Sequence, residues 1–184
     1  TGAFKNFDGS VLIDDVPAGN YTLQSLRAQT GIILSRQDIF KASIMDNITM
    51  GNPDISIQEV TEMAQITGFS RFIAAQPAGY DTMLDPAGKR LPKKVTQSIL
   101  LMRALTGNHR ILLLKDPCNH IDRDDVSKVI SFLRNDTNAT IIMATNDEDL
   151  AAVCDQVILI DNGSIKASGT WQQIKGLIKA KNEE

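Results

Sequence analysis

The chain has 184 residues, 42% hydrophobic and 22% charged, an ordinary globular composition for one domain or one domain in two lobes, which excludes a disordered polypeptide. Nineteen Lys and Arg against 22 Asp and Glu leave a net charge of −3, so overall charge gives no footprint for nucleic-acid binding. Its aliphatic runs fall far short of the roughly 20 residues that span a bilayer, no signal peptide is legible, and two Cys at 118 and 154 fit a reducing compartment without a disulfide framework.

In chain order, Thr1 stands first with neither Met nor leader, which suggests a piece of a longer polypeptide. Val11-Leu12-Ile13 reads as a strand stopped by Asp14-Asp15 and Pro17, and Gly31-Ile32-Ile33-Leu34 as a second. Ser56 stands three residues before Glu59, a capping-box pattern, and the helix it opens carries Ile57, Val60, Met63 and Ala64 at helical spacing. Residues 77–86 read as irregular. Val95, Ile99, Met102 and Leu105 mark another helix from about residue 94.

The second half alternates more clearly. Residues 111–114 and 140–143 are continuous apolar runs of the kind buried in a parallel sheet. Between them Asp122 opens a helix with Val126, Val129, Ile130 and Leu133 on one stripe. A short helix over 147–154 and a run at 157–160 follow, then Asn162-Gly163, a hairpin signal. Thr170 caps a last helix with Trp171, Ile174, Leu177 and Ile178 on one face. The strand–helix alternation predicts right-handed crossovers and a parallel sheet from the strands near 32, 111, 141 and 157.

Several short motifs accompany these elements. They are Gly9-Ser10-Val11-Leu12-Ile13-Asp14, then Leu26-Arg27 with Ile32 and Gln37 through Phe40, then Asp46-Asn47-Ile48. Gly79-Tyr80-Asp81-Thr82, Met102-Arg103-Ala104-Leu105, and Asp161-Asn162-Gly163 with Gly169-Thr170 follow. Together and in this order, over residues 9–177, they resemble the nucleotide-binding domain of ABC transporters of the exporter type. The resemblance implies an α/β fold, an ABC ATPase parallel-sheet core of the P-loop NTPase kind with a helical subdomain, truncated at its N-terminal side. It implies a core lobe from residues 1–40 and 106–184, and a helical subdomain over 41–105 carrying the signature motif. It also implies ATP and Mg²⁺ as cofactors, a transmembrane domain and a second nucleotide-binding domain (homo- or heterodimeric) as partners, and a cytoplasmic place at the inner face of the membrane.

The sequence departs from that family where the chemistry sits. No Gly-x-x-x-x-Gly-Lys-Ser/Thr phosphate loop occurs in the 184 residues; in the family it precedes the point where this chain starts. Where the signature reads L-S-G-G-Q, this chain has Leu91-Pro92-Lys93-Lys94-Val95, with Pro92 lacking an N–H and two Lys where close backbone approach is needed. That positive pair either attracts phosphate in a different geometry or forms a solvated surface. Lys115 stands at the Walker B aspartate position, where an ammonium repels Mg²⁺, and Asp116 at the glutamate position, a carboxylate one methylene shorter. Lys115 is a counter-ion to phosphate or a partner of Asp116.

Asp122 is the one residue kept in the D-loop, Asn146 replaces the H-loop His, and Gln37 of the Q-loop is the one intact γ-phosphate and Mg²⁺ sensor. His109 and His120 are expected at the surface. Cys118 and Cys154 have no neighbours at metal-ligand spacing, so no metal site is assigned to them. Six Lys and Arg against two Asp between 81 and 110 read as a solvated basic face. The reading that follows is an ATP-binding domain of an ABC exporter, catalytically degenerate, coupling nucleotide state to a transmembrane partner through the segment after Gln37. The alternatives are an active ABC ATPase truncated before its phosphate loop, and a non-enzymatic scaffold that binds protein and no nucleotide. The chain as given is expected to bind ATP weakly or not at all.

Overall fold

The structure, a computed structural model, describes residues 8–35, 37–84, 91–135 and 137–181. Of the positions read above, Thr1 and residues 85–90, within the irregular and basic stretches, lie outside that range. Strands β1 (Leu12–Ile13) and β2 (Val16–Pro17) form an antiparallel hairpin. Asp14 and Asp15, at φ 50° and 63°, make its two-residue turn, a left-handed conformation that Asp tolerates. The sequence marks the stop of the first strand but not its return.

Helix α1 (Leu23–Ala28) is capped by Thr22, whose side chain accepts from the Ser25 amide, and leads into β3 (Thr30–Ile33). Among the described residues, four helices separate β3 from the next strand: α2 (Ile44–Thr49), α3 (Ile57–Ile66), α4 (Ser70–Ala74) and α5 (Lys93–Leu105). Ser56 caps α3 by accepting from the Glu59 amide at 3.1 Å. A short 3₁₀ turn at Gly79–Asp81 and an isolated bridge between Ser43 and Met83 order part of the stretch read as irregular. Then come β4 (Ile111–Lys115), α6 (Arg123–Asn135), β5 (Thr140–Ala144), α7 (Glu148–Ala152), β6 (Val157–Asp161), β7 (Ser164–Gly169) and α8 (Trp171–Lys181).

The mixed α/β architecture centres on a parallel sheet of order β3-β4-β5, in which Gly31 pairs with Leu112 and Leu112 with Ile141. Alternation along the strands gives two unlike faces. The face with Ile33, Leu112 and Leu114, each 2% exposed, joins the core formed with Ile99, Leu101 and Met102 of α5. An added Cβ on Gly31 would lie 2.0 Å from the Ala104 carbonyl oxygen, so β3 and α5 are in backbone contact there. The opposite face bears Ile32, Leu113 and Ile142, the last 61% exposed.

The strand near 157 does not join this sheet. β6 pairs antiparallel with β7, in a hairpin separate from β3-β4-β5. Asn162 and Gly163, at φ 47° and 76°, reverse the chain so that Asp161 meets Ser164, and local pairing with β7 takes the place of a parallel neighbour. Two side chains also differ from their periodic assignment. Ile174 is buried at 2%, but Leu177 on the expected face of α8 is 53% exposed. His109 is half-buried rather than at the surface. Among the described residues no helix is long and apolar enough to cross a membrane.

Candidate functional site

Strand β4 ends at Lys115 and the chain turns sharply at Asp116, whose φ is 45°. The Asp116 amide donates to Ala144 O at 2.9 Å, extending the β4–β5 ladder by one bond. Consecutive side chains therefore diverge. The Lys115 ammonium donates to Ser35 Oγ at 2.8 Å, beyond the end of β3. Its hydrogen-bond partner is a hydroxyl rather than Asp116, so of the two roles left open by the sequence, pairing with Asp116 is not adopted.

Asp116 instead lines a groove of about 370 Å³ together with Asn119, His120, Thr145, Asn146 and Asp147. The Walker B carboxylate position and the H-loop position thus meet in one place. Asp147 is already engaged structurally, since its Oδ1 accepts from the Asp149 and Leu150 amides and caps α7. Cys118 lies beneath, 7% exposed; burial first, and the nearby Asp147 charge second, push its thiol up to about 12, which leaves it without nucleophilic character at neutral pH.

Helix α5 approaches this groove with its first turn. Pro92 occupies the N-cap and offers no side-chain cap, and the first turn holds Lys93 and Lys94 without an acidic residue. Both charges oppose the helix dipole. Lys94 is relieved by an ion pair with Asp122, and that hydrogen bond and charge hold the Asp122 carboxyl below the usual Asp range. One turn on, the Gln97 side-chain amide donates to Pro117 O at 2.9 Å and Asp116 O at 3.3 Å. Leu91 and Val95 of the altered signature pack on the core, while Pro92 and Lys93 are exposed. Hence α5 is tied to the turn at Asp116 and Pro117 through Gln97 and to Asp122 through Lys94, while Asn146 lines the groove beside Asp116. Gln97 was not anticipated by motif, although it lies three residues beyond Lys94 and so on the same helix face.

Gln37 is placed apart from that cluster. Its Nε2 donates to Ile32 O at 3.2 Å and its Oε1 accepts from the Leu34 amide at 3.1 Å, so the amide closes the end of β3. It lines a second cavity, of about 360 Å³, with Arg27, Thr30, Arg103, Thr106 and His109. Burial lowers the His109 pKa, against backbone hydrogen bonds at Thr106 and Ala28 that act to raise it.

The groove residues do not by themselves fit Mg-ATP. The groove is lined by two carboxylates and by no Lys or Arg among the described residues, so its own lining offers a triphosphate no cation. A single carboxylate, Asp116, following an ammonium is a poor Mg²⁺ position, since that ion is held through carboxylates and phosphates. Among the described residues no group of three or more His, Cys, Asp or Glu is placed to hold a metal ion.

No protein-family model matches the chain. The chain is 31% identical over 176 residues to an uncharacterized ABC transporter ATP-binding protein, YknU, of Bacillus subtilis (strain 168), a match covering 95% of this chain and 30% of that protein. It is 29% identical over 167 residues to the alpha-hemolysin translocation ATP-binding protein HlyB of Escherichia coli O157:H7, covering 90% of this chain and 24% of that one. Among solved structures, a bacterial Atm1-family ABC exporter with ATP bound aligns at a TM-score of 0.87 with 26% identity, over 98% of this chain and 33% of that chain. The chain therefore spans between 24% and 33% of the length of these relatives.

Proposed function

We propose that this chain, which is homologous to ABC transporter ATP-binding proteins and has the fold of an ABC exporter's ATPase, is a catalytically degenerate ATP-binding domain that answers nucleotide state for a transmembrane partner. Residues 1–40 and 106–184 form its core lobe and 41–105 its helical subdomain, a division supported by the run of α2 to α5 between β3 and β4. The domain works at the cytoplasmic face of the membrane, held there by that partner, and beside a second nucleotide-binding domain.

The observation that carries the reading is the pair at the end of β4. Lys115 is an exposed ammonium bonded to Ser35, and Asp116 is a carboxylate in a groove lined by no Lys or Arg among the described residues. Such a set is a poor position for Mg²⁺, which is held through carboxylates and phosphates. Asp116 is the carboxylate at the family's Walker B glutamate position and would accept a proton from water. Gln37, Asn146, Asp122 and residues 91–95 are the remaining nucleotide-facing positions, with Lys94 neutralised by Asp122.

Charge stabilisation of a transferring phosphoryl group depends on preorganised partners, and losing one costs about 10²–10³ in rate. In this chain three are replaced at once. The domain therefore contributes a regulatory or structural share, and turnover comes from a competent second domain. The test is phosphate release by the full-length protein reconstituted alone and with a catalytically competent partner domain. Turnover only with the partner supports the reading; brisk turnover by the protein alone overturns it.

A further inference from the structure

Two motifs of the chain, Asp46-Asn47-Ile48 and the Arg103 of Met102-Arg103-Ala104-Leu105, take no part in the groove. The fold brings them together across 56 residues of sequence. Asn47 is fully buried, and its side chain is saturated: Oδ1 accepts from the Phe40 amide at 3.0 Å, and Nδ2 donates to Phe40 O at 3.0 Å and Ser43 O at 2.9 Å. Asn47 thereby cross-links the loop that runs from Asp38 to α2.

Arg103 grips that cross-link from α5. Its Nε donates to Asn47 O at 2.8 Å, one terminal nitrogen to Asn47 Oδ1 at 3.3 Å, and the other to Asp38 O at 3.4 Å. The guanidinium carbon also lies 5.6 Å from the centre of the Phe40 ring, within cation–π range. Asp38 adjoins Gln37, whose amide closes the end of β3. At its other end α5 holds Asp116 and Pro117 through Gln97, and Asp122 through Lys94. Helix α5 is thus a strut between the segment after Gln37 and the groove.

We infer that Arg103 is a positioning residue that fastens the segment of residues 38–47 to α5, so that the two move as one body. This rests on the reading above that the domain answers nucleotide state. Its chemistry is specific to arginine: three acceptors in different directions need a planar fork, which a single ammonium on a flexible stem does not reproduce.

Hydrogen exchange of the full-length protein tests it. Without nucleotide, Arg103→Ala is expected to speed exchange of the Phe40 amide by about tenfold or more, the scale of one lost hydrogen bond to a charged group. The α3 and α6 amides should keep their parental rates. Arg103→Lys carries the same expectation and serves where Arg103→Ala does not fold. With Mg-ATP and a competent partner domain, exchange in the parent should change together in residues 38–47 and in the first turn of α5, and in the variants in only one of them. Unchanged Phe40 protection, a uniform rise through α3 and α6, or joint response of both segments in the variants would overturn the inference. Absence of any nucleotide response in the parent instead contradicts the proposed function, and the nucleotide-free comparison still decides the role of Arg103.

Discussion

Replacing Gly31 with Ala perturbs the contact on which the positions of β3 and of the Gln37 loop depend. The new Cβ would lie 2.0 Å from Ala104 O, 2.7 Å from Leu112 Cδ2 and 2.9 Å from His109 Cδ2. The two side chains can yield, but the carbonyl belongs to the backbone of α5 and moves only if helix and strand separate. Opening a close-packed layer costs about 1–3 kcal/mol, and the backbone obstacle puts this site near 2 kcal/mol or above. For a domain of this size that lowers the melting temperature by about 4–8 °C. Gly19→Ala is the control, because nothing lies within 4 Å of its added Cβ. Urea unfolding of both variants beside the parent measures the difference. A Gly31→Ala protein within about 0.5 kcal/mol of the parent, the scatter of ordinary surface substitutions, would refute the backbone contact between β3 and α5.

Three further outcomes are expected. In Lys94→Ala the Asp122 carboxyl, held low by Lys94, should titrate back toward the ordinary Asp range by NMR; identical midpoints would deny the pair. Because the folded pKa is the lowered one, the stability from this pair is present above the unfolded Asp value and is lost as pH falls through the folded value. Cys118, raised from 9.0 to about 12, should resist alkylation at neutral pH in the native protein and react once unfolded. The sign is opposite here, so its contribution is intact below about 9 and disappears as pH rises toward about 12. Calorimetry on residues 1–184 with Mg-ATP should give no micromolar binding, since no phosphate loop is present in the sequence; a micromolar dissociation constant would be the contrary result.

Much of the fold was legible because its signals are local. The aliphatic runs of β4 and β5 and the Ser56 cap, which does accept from the Glu59 amide, needed no long-range information. The partner of β6 did. Its run Val157-Ile158-Leu159-Ile160 reads like the buried strands, yet Ile158 and Ile160 are 51% and 66% exposed and pairing is with β7. Pairing is a property of what lies alongside, and an apolar run does not carry it. The same limit applied to the site. Residue identities marked Asp116, Asn146 and Gln37 as candidates, but no spacing indicated that the Gln37 amide is bonded within its own loop. Nor did spacing join Lys94 to Asp122, 28 residues apart, or Arg103 to Asn47. The last two contacts arise when α5 is packed against the core face of the sheet.

Under the proposed function, the altered residues rather than the fold limit catalysis. This is tested most directly by steady-state phosphate release from the full-length domain beside its Lys115→Asp, Asp116→Glu, Asn146→His triple variant. The substitutions together restore a Mg²⁺-facing carboxylate, a longer general base and a γ-phosphate imidazole. Background turnover is expected for the parent and a rise of about 10²-fold or more for the variant, the scale of regaining one preorganised partner. Parental turnover already within the roughly 1–10³ per second typical of enzymes would contradict it.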